Sequence, residues 1–292
     1  MKGPSPLLLL LGTGTMLGLN FPIGKLVLAH GVNSALWAAM ISLGAGLAML
    51  VIANLLTRNN SNIAPSLKYS LSSGFLSYVM PNFLTFLVIP KIGSGLAAVM
   101  FALSPVATAI ISTILRVRPP NRWGITGVAF GLLGALVIVF GRNSNVEASG
   151  SIWILLALLV PVFLGLGNVY RTSAWPAGAS PHLLAAYTNL AAVPFLIAIA
   201  IFFGFDLHPF LQIPWLAVLQ ILVSTTMFSM FFRLQQIGGP TYLSQIGYVA
   251  AAVGLLIGVT YLGETYPILV WLGAGIVALG VGVSTWGGMH KA

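Results

Sequence analysis

Apolar runs too long for β-strands follow one another along the whole chain, separated by short polar breaks. Glycine, proline, asparagine and charged positions divide the chain into about ten runs, each near the ~20 residues that a helix needs to cross a bilayer. The runs do not alternate polar and apolar positions, which favours helices over a membrane barrel. The pattern predicts ten transmembrane helices, at 6–29, 34–56, 68–90, 94–116, 122–141, 151–172, 182–204, 213–236, 240–262 and 266–286.

The stretch 93–141 recurs at 239–287 when the numbering is shifted by 146. Each copy contains an apolar run, a polar kink with proline or glycine, and a second, Gly-rich run. This register aligns four glycines of the first copy, Gly93, Gly127, Gly134 and Gly141, with Gly239, Gly273, Gly280 and Gly287. The repeat predicts two five-helix halves, 1–141 and 151–292, joined by a polar linker at 142–150.

The basic residues indicate how the helices are oriented in the membrane, because they accumulate on the cytoplasmic side. With the N-terminus inside, nine of the 12 Lys and Arg residues fall inside, and the acids Glu147, Asp206 and Glu264 fall outside. Five helices per half is an odd number, so the second half enters from the opposite face. We therefore predict an all-α polytopic membrane protein of ten helices, arranged as two inverted five-helix repeats with both termini cytoplasmic.

The composition supports a lipid-facing surface, since 58% of the residues are hydrophobic and 5% are charged, against about 25% charged in soluble domains. The net charge of +9 comes from residues spread singly at helix ends, which indicates contacts with lipid headgroups of the bilayer rather than with nucleic acid. The absence of cysteine excludes disulfides and thiolate metal sites. The apolar run at 7–11 continues to position 29, so we expect a retained first helix and not a cleaved signal peptide.

Polar side chains inside apolar helices tend to face a bundle interior or a cavity. Hydroxyl groups there more often bond to a neighbouring helix or to their own backbone, whereas an amide is costlier to bury. Aromatic and thioether side chains near the same positions suit an apolar or aromatic solute. Together these residues predict a substrate cavity lined by Met16, Asn20, Tyr78, Asn82, Met100, Phe101, Ser104, Phe163, Asn168, Met227, Gln245 and Tyr248.

Three prolines within the predicted helices, Pro22, Pro81 and Pro105, each remove a backbone donor and can free a carbonyl group towards a cavity. Breaks of this kind near mid-membrane are typical of transporter sites, so we predict a gating role for them. A packing kink is the alternative role for each proline.

Charged side chains lie near helix ends and not at helix centres. Lys25, Arg171 and Arg233 are interpreted as anchors that snorkel to the interface, or as groups that attract a substrate carboxylate at a vestibule. No metal-binding or nucleotide-binding motif occurs in the sequence, so no metal or cofactor is expected. Ser94, between two glycines, is the one nucleophile candidate for an intramembrane enzyme.

Two five-helix halves, each ending in a Gly-rich hairpin, resemble the drug/metabolite transporter superfamily in its EamA-type exporter branch. The segment Leu-Gly-Glu-Thr at 262–265 resembles that family's short Gly-Glu signature, whereas Arg118 replaces the acid in the first half. More closely, the chain resembles the bacterial aromatic amino-acid exporters of the YddG type. The resemblance implies a central cavity lined by helices 1, 3, 4, 6, 8 and 9, and export of amino acids or similar metabolites across the bacterial inner membrane by alternating access.

Other functions remain open at this stage. A nucleotide-sugar carrier would need Lys or Arg in the cavity, and a carrier of cationic drugs would favour a central acid. Glycine pairs such as Gly14 and Gly18 fit the GxxxG pattern and are expected to pack helices within one chain. A monomer is therefore expected, with a homodimer as the alternative.

Overall fold

All regular structure in the described residues, 5–56, 65–117, 122–140 and 149–289 of the computed structural model, is helical. A five-residue π-helical turn, Phe75–Val79, joins the third helix to the fourth. The helices are α1 (Pro6–Ala29), α2 (Ser34–Leu56), α3 (Leu67–Gly74), α4 (Met80–Ile92), α5 (Ser94–Phe101), α6 (Ser104–Ile114), α7 (Arg122–Phe140), α8 (Ser149–Ser173), α9 (Pro181–Phe202), α10 (His208–Leu211), α11 (Pro214–Ser244), α12 (Ile246–Thr260) and α13 (Ile268–Met289).

Local sequence explains where several of these helices begin. The hydroxyls of Ser5, Ser66 and Ser180 each accept a hydrogen bond from a backbone amide three residues later, which caps α1, α3 and α9. Gly93 separates α4 from α5 with a φ of 85°, a conformation that glycine adopts without a steric penalty. The spans predicted at 6–29 and 34–56 coincide with α1 and α2.

Seven stretches in the described part of the chain are long and apolar enough to cross a membrane. Side chains such as those of Leu55 and Phe202 are 73% and 84% exposed, as a surface in contact with lipid requires. The protein is therefore a polytopic α-helical membrane protein, while ten crossings and cytoplasmic termini stay predictions. The seven stretches are Pro6–Ala29, Ser34–Leu55, Leu67–Ile92, Ser94–Ile114, Ile152–Ser173, Pro181–Phe202 and Pro214–Ile237.

The helix α11 continues eight residues beyond the end predicted at position 236. The helices α1 and α11 run antiparallel, because Gln220 lies beside Asn20 and Met230 lies beside Gly12. The helices α1 and α12, by contrast, run parallel, because Gly14 contacts Val249 and Gly18 contacts Val253. The chain therefore reverses direction between Met230 and Ile246, and helical turns continue into the reversal.

The helices pack in pairs that repeat across the two predicted halves. The helix α1 packs against α11 and α12, and α8 packs in the corresponding way against α4 and α6. The pairs α2 with α9 and α7 with α13 lie at the two sides of the bundle. This pairing places α1, α4, α6, α8 and α11 around the centre.

The contact between α7 and α13 is reciprocal. A methyl group added at Gly134 would lie 2.6 Å from the carbonyl oxygen of Gly273, and one added at Gly280 would lie 2.7 Å from that of Gly127. In the register of the sequence repeat, Gly134 corresponds to Gly280 and Gly127 to Gly273, so the two contacts are equivalent. Such reciprocity is the pattern of a two-fold axis, and the helices run antiparallel, as an inverted repeat predicts.

Candidate functional site

A cavity of about 60 Å³ lies at the centre of the bundle. By volume it holds a few water molecules, at roughly 10–15 Å³ each, whereas ligand pockets typically measure about 300–1,000 Å³. A solute would therefore require the surrounding helices to separate. The lining comprises Leu17, Asn20, Phe21, Ile41, Ser77, Tyr78, Pro81, Asn82, Thr85, Phe86, Phe101, Ser104, Leu164, Asn168, Arg171, Ser224, Met227, Phe228, Phe231, Leu243, Ser244 and Ile246.

The structure brings together part of the predicted set. Met16, Met100 and Phe163 pack in the surrounding core instead. Gln245 is buried where α12 begins, and Tyr248 lines a separate apolar cavity between α5, α12 and α13. The predicted residues that line the central cavity are Asn20, Tyr78, Pro81, Asn82, Phe101, Ser104, Asn168 and Met227.

The three prolines occupy different positions. Pro81 lies in the first turn of α4, directly after the π-helical turn, and lines the cavity. Pro105 lies in the first turn of α6, so the single helix predicted at 94–116 is divided into α5 and α6. The prediction of a break at Pro22 is wrong, because α1 continues through this residue. Packing against neighbouring helices makes a proline tolerable within a transmembrane helix.

Arg171 is a cavity residue that sequence reasoning missed. It lies in the last turn of α8 but is only 1% exposed, so it is not a snorkelling anchor. Its Nε donates to Gln235 Oε1 at 3.0 Å, its Nη1 to Ser77 Oγ, and its Nη2 to Asn168 Oδ1 at 2.7 Å. Its Cζ also lies 5.1 Å from the ring centroid of Phe231, within the range of a cation–π contact. These contacts hold a positive charge at the cavity wall.

The spacing of Asn168 and Arg171 is the sequence signal that could have identified this arrangement. Residues three apart on a helix share one face, so if Asn168 lies at the cavity wall, Arg171 is expected to lie there too. Asn168 Nδ2 also donates to Thr108 Oγ1 at 3.2 Å, and Thr108 Oγ1 donates to the carbonyl oxygen of Ser104 at 2.7 Å. This chain of hydrogen bonds connects α8 to α6.

A second polar group lies between α1 and α11. Gln220 Nε2 donates to Asn20 Oδ1, and also to Ser224 Oγ at 2.8 Å. Sequence reasoning found Asn20 but missed Gln220, which is 0% exposed. It was missed because its position within an apolar run does not reveal which face of α11 it occupies.

The loop carboxylate of Glu264 accepts hydrogen bonds from several donors at one end of the bundle. Lys25 Nζ lies 2.6 Å away as an ion pair, the amides of Ser94 and Gly95 donate at 2.8 and 2.9 Å, and the hydroxyls of Ser94 and Tyr266 donate at 2.8 and 2.5 Å. The amides belong to the first turn of α5, where the helix dipole favours a negative charge. Burial raises the pKa of the Glu264 carboxyl, but these donors together hold it at about 2.

This group of residues, the Glu264 cluster, consists of Lys25, Ser94, Gly95, Glu264 and Tyr266. It joins the end of α1, the start of α5 and the loop before α13. Arg171 lies towards the opposite end of the bundle, since it contacts the part of α11 that follows Met230. The bundle thus has a cluster that joins three elements at one end and a buried cation towards the other.

Comparison with known proteins shows which family has this architecture. The EamA-like transporter family matches residues 4–140 and 151–286. A solved structure, described as "Crystal structure of protein", superposes with a TM-score of 0.62 at 16% identity, covering 94% of this chain and 97% of its own, which shows the fold alone.

Curated relatives agree with the family match. The uncharacterized inner membrane transporter YedA of Escherichia coli (strain K12) is 25% identical over 273 residues, covering 89% of this chain and 85% of the relative. The YedA proteins of strains O6:H1 and O157:H7 match at the same identity and coverage. The chain therefore belongs to the EamA-like transporter family, and it is a membrane transporter.

Proposed function

We propose that the protein is a secondary transporter that exports amino acids, aromatic and other neutral ones, or similar small metabolites across the bacterial inner membrane by alternating access. The observation that supports this most is the central cavity between the two predicted halves, which is lined both by polar groups and by aromatic or thioether groups. An amphiphilic solute needs both kinds of group, because its polar groups must exchange water for protein partners while its apolar part avoids water.

The apolar part of such a solute would lie against Phe101, Met227 and Phe228. Aromatic rings contact other rings edge-to-face, as Tyr78 and Phe228 do at 4.8 Å between centroids, and methionine adapts to several shapes. A tight site would retain the solute, whereas adaptable walls of this kind favour release. These walls favour neutral aromatic and large aliphatic amino acids over small hydrophilic solutes.

Alternating access would proceed by movement of α3–α6 and α11–α12 about the cavity. In the closed arrangement, α1 meets α12 through Gly14 and Gly18, whose missing side chains leave room for Val249 and Val253. Close contacts through glycine hold two helices together by packing alone, without hydrogen bonds that must be broken. Once the Glu264 cluster separates, packing alone therefore holds this part of α1 against α12.

Flux measurements in proteoliposomes test the proposal. Vesicles that contain the purified full-length protein are loaded with labelled phenylalanine, leucine or alanine, and efflux is compared with that from protein-free vesicles. We expect protein-dependent efflux that unlabelled phenylalanine inhibits by competition. No protein-dependent flux of any aromatic or aliphatic amino acid would contradict the substrate assignment.

A carrier of larger anions, such as a nucleotide sugar, is the second candidate, because Arg171 supplies a cation in the cavity. Competition by a nucleotide sugar, with none by phenylalanine, would favour it. An intramembrane enzyme has less support: the Ser94 hydroxyl already donates to Glu264, and a carboxylate with a pKa of about 2 is a weak base.

A further inference from the structure

Arg171 has more hydrogen-bond donors than the protein uses. A guanidinium carries five N–H groups, of which three donate to Gln235, Ser77 and Asn168. One N–H on each Nη therefore has no acceptor in the part of the chain that the structure describes. No carboxylate of the described residues pairs with this cation, since Glu264 pairs with Lys25 at 2.6 Å and Asp206 is exposed in a loop. A buried cation without a counter-ion costs much more free energy than a paired one.

Tyr78 provides a second unused donor at the same cavity. The residue is 4% exposed, it lines the cavity, and its hydroxyl has no hydrogen-bond partner among the described residues. Buried hydroxyl groups are rarely left without a partner. Its neighbour Ser77 accepts from Arg171, so both residues belong to one corner of the cavity, where the π-helical turn meets α8.

The unused donors define the chemistry of the missing partner. An anion with two coplanar oxygens can accept one N–H from each Nη of a guanidinium, and a third donor strengthens the site. Arg171 is the one charged residue among those described as lining the cavity, so a group with a single negative charge balances it. Met227 and Phe228 line the same cavity, and the ring of Phe228 contacts that of Tyr78. These side chains favour an apolar or aromatic body over a phosphate, which carries more charge and no apolar surface.

We propose that Arg171 and Tyr78 bind the carboxylate of the transported solute, so that the protein selects carboxylic acids and amino acids over the corresponding amides and amines. This inference rests on the proposed transport function, because it assigns a substrate class to the same cavity. It places carboxylate recognition inside the bundle and not at a vestibule.

Ligand-dependent thermal unfolding of the purified full-length protein in detergent tests the proposal without requiring transport. The probes are 3-phenylpropionate, L-phenylalanine, L-phenylalaninamide, 2-phenylethylamine and inorganic phosphate. For the wild type we expect phenylalaninamide to bind at least about tenfold more weakly than phenylalanine, because a site built for a charged acceptor discriminates against its neutral analogue. Phenylpropionate should bind, and phenethylamine should not.

The variants assign this preference to residues. Arg171→Gln is expected to weaken binding of phenylalanine and phenylpropionate at least about tenfold and to leave amide binding unchanged. Tyr78→Phe is expected to weaken acid binding by about three- to tenfold, and it keeps the ring in place. If Arg171→Gln does not fold, Arg171→Lys keeps the charge and removes the planar fork, so Tyr78→Phe and Arg171→Lys together still test the site.

Matched controls use residues outside the cavity. Arg233→Gln removes an exposed arginine whose Nη1 donates to Gln236, and Tyr261→Phe removes the hydroxyl of a tyrosine that is 83% exposed. Both should keep the wild-type preference for acid over amide.

The outcomes test the carboxylate site and the transport function separately. Equal binding of phenylalanine and its amide in the wild type, an unchanged preference in the Arg171 and Tyr78 variants, binding of phosphate alone, or no binding of any carboxylate would overturn the carboxylate site. Arg171-dependent binding without flux in proteoliposomes would instead remove the transport proposal and leave the site. Protein-dependent flux that shows no preference for acids over amides would instead remove the carboxylate site and leave the transport proposal.

Discussion

Glu264 illustrates how one loop residue can hold separate helices together. Its carboxylate accepts from Lys25 on α1, from two amides of α5, and from Tyr266 in its own loop. Hydrogen bonds to a charged acceptor contribute about 1.5–3 kcal/mol each, more than those between neutral groups. The Gly-Glu segment that carried the family resemblance in the sequence therefore has a structural role, which its position in a loop did not predict.

If Glu264 stabilises the fold through its charge, the effect of replacing it on the free energy of unfolding should depend on pH. The pKa of Glu264 is about 2 in the folded protein, against an ordinary value of 4.5, so the folded form releases its proton at lower pH than the unfolded form does. The stabilisation is complete above about pH 4.5 and is lost as pH falls towards 2. We expect Glu264→Gln to lower the free energy of unfolding by ~1–3 kcal/mol at pH 7, and the difference from wild type to shrink below pH 4.5.

Thermal unfolding followed by circular dichroism between pH 7 and pH 2 measures this difference. Asp206→Asn is the control, because Asp206 is exposed in a loop outside the cluster. A difference between wild type and Glu264→Gln that is the same at every pH would show that the charge of Glu264 is not what stabilises the cluster.

At the scale of elements, the pair α7 and α13 depends on glycines that bring two backbones together. Gly134 and Gly280 each face a carbonyl oxygen of the opposite helix, and a backbone atom cannot rotate away as a side chain can. Small residues at a helix interface permit this close approach in membranes, where packing replaces the hydrophobic effect as the driving force. Gly275, on the same helix α13, faces open space.

The two kinds of glycine should respond differently to alanine. Gly134→Ala is expected to destabilise the protein by about 1–3 kcal/mol, because the new methyl group would lie 2.6 Å from the Gly273 oxygen. Gly275→Ala should be neutral or stabilising by about 0.5–1 kcal/mol, since it adds helix propensity without a clash. Unfolding midpoints in one detergent compare the two variants, and equal effects would contradict the assigned contact.

At the scale of the whole molecule, the orientation in the membrane is the main prediction still to be tested. The chain contains no cysteine, so single cysteines can be introduced without removing others. Asp206 and Gln236 are exposed, before the start and in the second half of α11 respectively. The distribution of Lys and Arg predicts Asp206 outside and Gln236 inside.

Labelling of intact cells with a membrane-impermeant maleimide tests this orientation. Asp206→Cys should react in intact cells, whereas Gln236→Cys should react only after the membrane is permeabilised. The opposite result for both positions would reverse the predicted topology, and labelling of both in intact cells would place them on one side. The cysteine-free wild type provides the background.

The sequence predicted the helices better than the site, for a physical reason. Crossing lipid demands long apolar runs, so the positions of α1 and α2 follow from hydropathy alone. Which face of a helix turns inward depends on its neighbours, so Gln220 and Arg171 were not identified as cavity residues. Asn20 and Asn168 were identified, because a buried amide requires a partner. Gln220 carries the same group, but its place in the run at 213–236 did not show that it is buried.

The ion pair of Lys25 with Glu264 bears on how the two halves have diverged. Under the shift of 146 that relates the halves, Lys25 corresponds to Arg171, and Glu264 corresponds to position 118, which lies outside the described residues. A symmetric ancestor with this pair in both halves would have had an acid at 118, where the chain now has arginine. In the present chain Lys25 pairs with an acid of the protein, whereas its counterpart Arg171 has no acid partner among the described residues. Under the proposed carboxylate site, the transported solute supplies the acid that Arg171 lacks.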